Sequence, residues 1–180
     1  MRVSFTGHRP DKIADWCSAP EEVERHIRAA LASRIERLAV EHSATTFLCG
    51  MAPGVDLWAA DELLRLRSEG RVGESVRLVL AIPYPDFARS FSKSYRPLYD
   101  SVLERADEVV YVCQGYHYGC YSMRNDYLVD NSDLLLAYYE GSEGGTRYTI
   151  RRATKQGKRV INIHQSDLFD MIFGEVVGDN

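Results

Sequence analysis

Gly7, Gly50, Gly54, Gly141, Gly144 and Gly145 each follow a short apolar run and stand at or near the start of a helix-like segment. Glycine in such a loop lets backbone N–H groups approach an anion closely, and a helix N-terminus adds partial positive charge. The chemistry this predicts is capture of a phosphate-bearing ligand. Gly70 and Gly157 instead close helical patterns and read as C-caps.

Polar residues beside these glycines have two readings each. His8 and Arg9 directly follow the first apolar run, as ligand contacts or as a solvated loop. Asp56 opens a helical pattern, where a carboxylate favours the dipole by ~0.3–1 kcal/mol or bonds a ribose hydroxyl. Arg124 and Asn125 lie in Ser122-Met123-Arg124-Asn125-Asp126, a segment too polar to be core. A guanidinium there can hold phosphate or ribose bidentately across the sheet edge, or pair with Asp126, Asp130 or Glu143. Arg147 is unfavourable in a first helical turn unless an anion or acid is near. It begins a basic stretch (Arg147, Arg151, Arg152, Lys155, Lys158, Arg159) that reads as a solvated face or a groove. Tyr116, His117, Tyr118 and Tyr121 stack on a base or pack on their own loop.

The elements that position these residues follow from periodicity. Residues 2–6, 45–49, 76–82, 108–113, 133–139 and 159–163 are apolar or β-branched and read as strands. Val23, Ile27, Leu31, Ile35 and Leu38 mark one face of a long helix, with Ser18 and Glu21 spaced as a capping box. Val55, Ala59, Leu63 and Leu66 mark a second helix. Residues 85–106 are helical in pattern but split at Pro97, because Arg96 before proline avoids helical angles. Helices are also expected over 122–131 and 146–156. Strands alternating with helices predict a three-layer α/β fold of Rossmann type with a mostly parallel sheet. The apolar runs Val109–Val112 and Leu134–Ala137 fit strands buried on both faces.

Composition sets the limits. With 180 residues, 45% apolar and 27% charged, the chain (1–180) is expected to form one globular domain. A net charge of −4 argues against coating nucleic acid by bulk electrostatics. Cys17, Cys49, Cys113 and Cys120 form no C-x-x-C pair and no His pair has ligand spacing, so neither disulfide nor metal is expected. Cys49 and Cys113 read as small core residues. No apolar run approaches the ~18 residues of a membrane span, and with the polar Gly7-His8-Arg9 no signal peptide is expected. A cytoplasmic location is expected, with no required cofactor and homo-oligomerisation open.

Three segments together carry a family resemblance. Phe5-Thr6-Gly7-His8-Arg9-Pro10, then Gly50-Met51-Ala52-Pro53-Gly54-Val55-Asp56, then Arg124–Asp133 followed by Gly144-Gly145-Thr146, resemble the YpsA-like family of the SLOG superfamily. The resemblance runs over residues 2–164 and implies a Rossmann-like fold. It implies a site on these segments for a nucleotide or nucleotide-derived molecule such as ADP-ribose, in a sensor or regulatory protein. Two relatives supply alternatives. In the LOG phosphoribohydrolases a catalytic arginine precedes a strand-opening aspartate at the spacing of Arg124 and Asp133. Their assisting glutamate falls at Thr149 here, so Glu140 or Glu143 would have to replace it. The DprA proteins, which bind single-stranded DNA, have a glycine-rich segment similar to Gly50–Asp56. That activity needs a basic groove, for which residues 147–159 are the candidate, and the overall acidity weighs against it.

Overall fold

In the computed structural model, which describes residues 1–14 and 20–164, the apolar runs become six strands. They are β1 (Arg2–Gly7), β2 (Thr46–Cys49), β3 (Arg77–Ile82), β4 (Glu108–Tyr111), β5 (Leu134–Tyr138) and β6 (Arg159–Asn162). All pairs are parallel, in the order β4-β3-β2-β1-β5-β6. Among the described residues six helices fill the connections: α1 (Pro10–Ala14), α2 (Pro20–Glu41), α3 (Val55–Ser68), α4 (Arg96–Arg105), α5 (Cys120–Asp130) and α6 (Gly145–Lys155). Helices α2, α3 and α4 pack on one face of the sheet, α5 and α6 on the other. The fold is a three-layer, Rossmann-like α/β sandwich. Ser18 of the expected capping box, and Cys17, lie outside the described residues.

The larger core lies under α2–α4. Ile27, Leu31, Ile35 and Leu38 of α2 are buried, as their spacing predicts. Each such aliphatic side chain contributes ~1.5–3 kcal/mol on burial, so Leu31→Ala would cost ~2–5 kcal/mol. Helix α3 is enclosed on nearly every side, with Trp58, Leu63, Leu64 and Leu66 buried. Its buried Glu62 is satisfied by Arg28 and Arg65, each donating at 2.8 Å. The helix ends as expected at Gly70 (φ +70), whose N–H donates to the Arg67 carbonyl at 3.1 Å while Arg71 N–H reaches Leu66 at 3.0 Å. This double bond pattern is a Schellman cap. Cys49 and Cys113 are buried free thiols.

Two expectations change. Residues 85–106 hold a short 3-10 turn (Phe87–Ser90) and then α4, which begins at Arg96. The break therefore precedes Pro97, which sits in the first turn of α4, where a missing N–H costs nothing. Strand β4 is not buried on both faces: among the described residues it ends the sheet, pairs with β3 alone, and leaves Val109 38% and Tyr111 48% exposed.

The topology dictates where a ligand can enter. From β1 the chain winds outward through β2 and β3 to β4, then returns to β5 on the other side of β1. The loops after β1 and β5 leave toward opposite faces. Between them opens the crevice where Rossmann-like folds bind ligands.

Candidate functional site

A cleft of about 320 Å³ occupies this crevice, at the small end of the ~300–1,000 Å³ usual for small-molecule sites. Thr6–Arg9, Asp11 and Lys12 form one wall, and Ser142–Thr146 the other. Ala52, Asp56, Tyr121, Arg124 and Asn125 complete it.

Beneath the cleft lies a buried ion pair. Arg124 Nη1 stands 3.5 Å from Asp56 Oδ2, with both side chains 7% exposed. The same nitrogen donates to the Gly50 carbonyl, and Nε donates to Asn125 Oδ1 at 2.9 Å. Burial pushes the Asp56 carboxyl above its ordinary range and the Arg124 guanidinium below its own, each opposed by the other's charge. Arg124 departs from its expected place. The segment is polar, yet this side chain is buried, and it turns to the loop after β2 and not to the loop after β5. Of its three expected acidic partners, Asp126 accepts from Tyr148 at 2.7 Å and Asp130 from Arg152 at 2.9 Å. Glu143 pairs with Arg147.

The glycines after β1 and β2 pack loops together. A Cβ on Gly7 would overlap Val55, and one on Gly50 would overlap the Arg124 guanidinium. Gly54 has φ +93, and a Cβ there would lie 2.5 Å from the His8 carbonyl oxygen. Val55 N–H, at the start of α3, already donates to that carbonyl at 3.2 Å. Met51 is fully buried, its N–H directed to Cys49 Sγ at 3.3 Å. Gly50, Met51 and Gly54 therefore lie at the expected sheet edge but do not line the cleft. Their loop is filled by protein contacts, whereas Gly7, Ala52 and Asp56 do reach the cleft.

The start of α6 differs. Gly144 (φ +147) is its N-cap and supplies no side-chain bond, so the first-turn N–H groups keep no cap. Thr146, in that turn, is 8% exposed and lines the cleft, yet its hydroxyl bonds to no described residue. Arg147 is tolerated because Glu143, one turn before it, supplies the acid its position requires. The Glu143 side chain is 84% exposed. Thr149, at the position of the LOG-type glutamate, is fully buried and donates to the Gly145 carbonyl at 2.8 Å.

The rim adds charge. Arg9 and Lys12 are exposed on the first wall. Lys12 and Ser142 escaped the sequence reading; the i, i+3 spacing of Lys12 from Arg9 was the available signal. His8 is 5% exposed and its Nε2 contacts the Glu140 carboxylate across the crevice. Burial pushes His8 below its ordinary value despite the Glu140 charge. Burial alone would raise Glu140, but bonds from Ser142 hold it below the usual carboxylate range.

Of the basic stretch, Arg147, Arg152 and Lys158 are committed to structure, while Arg151, Lys155 and Arg159 are exposed. Arg152 lies 3.1 Å from Asp126 and 2.9 Å from Asp130, both on α5. Lys158 Nζ donates to the Val129 and Ser132 carbonyls. Among the described residues no three His, Cys, Asp or Glu side chains are grouped to hold a metal. No described helix is long and apolar enough to cross a membrane.

UPF0398 proteins of Bacillus thuringiensis (strain Al Hakam) and Bacillus cereus (strain AH187) are each 25% identical over 178 residues, covering 94% of this chain and 94% of theirs. DNA processing protein A (DprA) of Streptococcus pneumoniae superposes with a TM-score of 0.59 at 17% identity, over 88% of this chain. This chain spans 48% of that protein. DprA of Helicobacter pylori, described for its single-stranded DNA binding mode, gives 0.59 at 14% identity, over 97% of this chain and 74% of that one. At these identities the likeness concerns the fold. The YpsA profile, described as the YspA SLOG family, matches residues 3–171. That match takes in both walls of the cleft and the buried pair beneath it, and the chain belongs to the YspA SLOG family.

Proposed function

We propose that this protein binds a nucleotide or nucleotide-derived ligand in the β1–β5 crevice and acts as a cytoplasmic sensor or regulator. The carrying observation is the Thr146 hydroxyl, which lines the cleft and bonds to no described residue, beside the uncapped N-terminus of α6. Facing the cleft, such a hydroxyl can exchange its bond to water for one to a ligand oxygen. The helix end attracts an anion, and Arg9 and Lys12 on the facing wall add charge. Support for binding over turnover comes from the same loop. Thr149 is buried and bonded within α6, and the exposed Glu143 is paired with Arg147. Neither stands ready as an acid or base at a ligand.

A thermal-shift screen of nucleotides, including ADP-ribose, tests this. A ligand at a hundred times its Kd adds ~2.7 kcal/mol and raises the melting temperature visibly. No shift from any nucleotide would refute the reading.

A second reading, single-stranded DNA binding, draws on the fold shared with the DprA proteins. The acidic net charge and the commitment of Arg152 and Lys158 to α5 contacts weigh against it. Weak anisotropy signals with unstructured oligonucleotides are expected at physiological salt. Nanomolar affinity that falls steeply with salt and vanishes on Arg151→Glu with Lys155→Glu would promote this reading.

A further inference from the structure

Tyr121 lines the cleft from the first turn of α5. It precedes Arg124 by three residues and Asn125 by four, so the three side chains share one helix face. The ring is braced from behind. Its hydroxyl is 3.1 Å from that of Tyr84, and its centroid lies 6.2 Å from Tyr84, 6.3 Å from Tyr116 and 5.9 Å from Phe87. Phe87 is 3% exposed and anchors this cluster in the core, yet Tyr121 remains 38% exposed. A braced ring with open surface loses little freedom when a flat ligand group stacks on it.

Asn125 relates this ring to the anion-seeking end of the cleft. Its amide nitrogen lies 3.5 Å from where a Cβ on Gly145 would stand, so it touches the first turn of α6. Tyr121 is one helical turn earlier, ~6 Å along α5, a separation that a ribose bridges between phosphate and base. The small volume of the cleft matches one nucleotide unit.

We infer that the cleft takes a nucleoside 5′-monophosphate unit, its phosphate at Thr146 and the start of α6 and its base stacked on Tyr121. The inference rests on the nucleotide reading above and specifies its ligand. The same unit occurs as a free mononucleotide and as the 5′-phosphorylated end of a single strand.

Calorimetry on the whole protein separates the cases. Adenosine 5′-monophosphate should bind about tenfold more tightly than ribose 5-phosphate, the usual worth of one base stacked on an aromatic ring. Tyr121→Ala should abolish that preference without changing ribose 5-phosphate affinity, and Tyr121→Phe should keep it. Tyr121→Leu, which retains bulk without a π-face, repeats the test if alanine loosens the aromatic cluster. Equal affinity for the two ligands in the wild type, or a preference that survives Tyr121→Ala and Tyr121→Leu, overturns the base subsite and leaves the nucleotide reading standing. If no nucleotide binds at all, the nucleotide reading falls and the inference with it. A 5′-phosphorylated oligothymidine that outcompetes the mononucleotide, where its unphosphorylated form does not, assigns the unit to a strand end. The reverse order assigns it to the free nucleotide.

Discussion

Arg124 and Asp56 face each other at 3.5 Å beneath the cleft, both nearly without solvent, and the Gly50 carbonyl and Asn125 take up further guanidinium bonds. Removing one member of a buried pair strands the other charge. Arg124→Ala and Asp56→Asn should each cost ~3–5 kcal/mol. Arg124→Lys keeps the charge but loses the planar fork, and should cost ~1–3 kcal/mol. The double change Arg124→Met with Asp56→Leu should cost less than either drastic single change, since no charge stays buried. Urea unfolding of the four variants checks this. An unchanged midpoint for Arg124→Lys would mean the fork contributes nothing to the fold.

Thr146→Val separates binding from stability. The valine removes a hydroxyl that faces the cleft and bonds to no described residue, so the melting temperature should hold. Ligand affinity should fall about tenfold, the worth of one hydrogen bond to a charged oxygen. A drop in melting temperature with unchanged affinity would make the hydroxyl structural.

Gly54→Ala should behave oppositely. Its φ of +93 and the 2.5 Å approach to the His8 carbonyl leave no place for a methyl group. The strain should cost about 2 kcal/mol or more, visible in a melting curve. Affinity per folded molecule should stay near wild type, because Gly54 does not line the cleft. Loss of binding with full stability would return this glycine to the ligand.

His8 should make the protein sensitive to mild acid. Burial holds its folded value below the 6.5 of the free side chain, so the unfolded chain takes up the proton first. The stability this contributes is complete above about 6.5, erodes as pH falls below it, and is gone once pH passes the folded value. Melting temperatures measured from about pH 8 down to about pH 5 should therefore fall, and His8→Gln should flatten the decline. Glu140, held below its ordinary range, acts in the same direction but at lower pH. Identical slopes for wild type and His8→Gln would remove His8 from this role.

Much of the architecture is written locally. The apolar runs that became β1 to β6, the spacing of Ile27, Leu31, Ile35 and Leu38, and the Gly70 cap each depend on neighbours within a few residues. Parallel pairing then follows from the alternation of strands and helices, and it brings the loops after β1, β2 and β5 to one edge. The family resemblance could be read at the same level, because its motifs are contiguous.

What escaped that reading depends on partners distant in the chain. An apolar run such as Val109–Tyr111 carries no mark of whether its strand will be central or at an edge. Arg124 stands in a polar segment, and its burial is set by Asp56, 68 positions away. The basic stretch of α6 contains no acid of its own, yet α5 lies against it and brings Asp126 and Asp130 to Arg152. Gly54 has the sequence of a phosphate loop, but the backbone of His8 and Arg9 reaches it first. Composition and periodicity determine which segments form and which face each buries, since those energies are local and scale with apolar area. Which charge meets which, and which helix end stays open to a ligand, is decided only when the layers close, because electrostatic partners are chosen by distance in space.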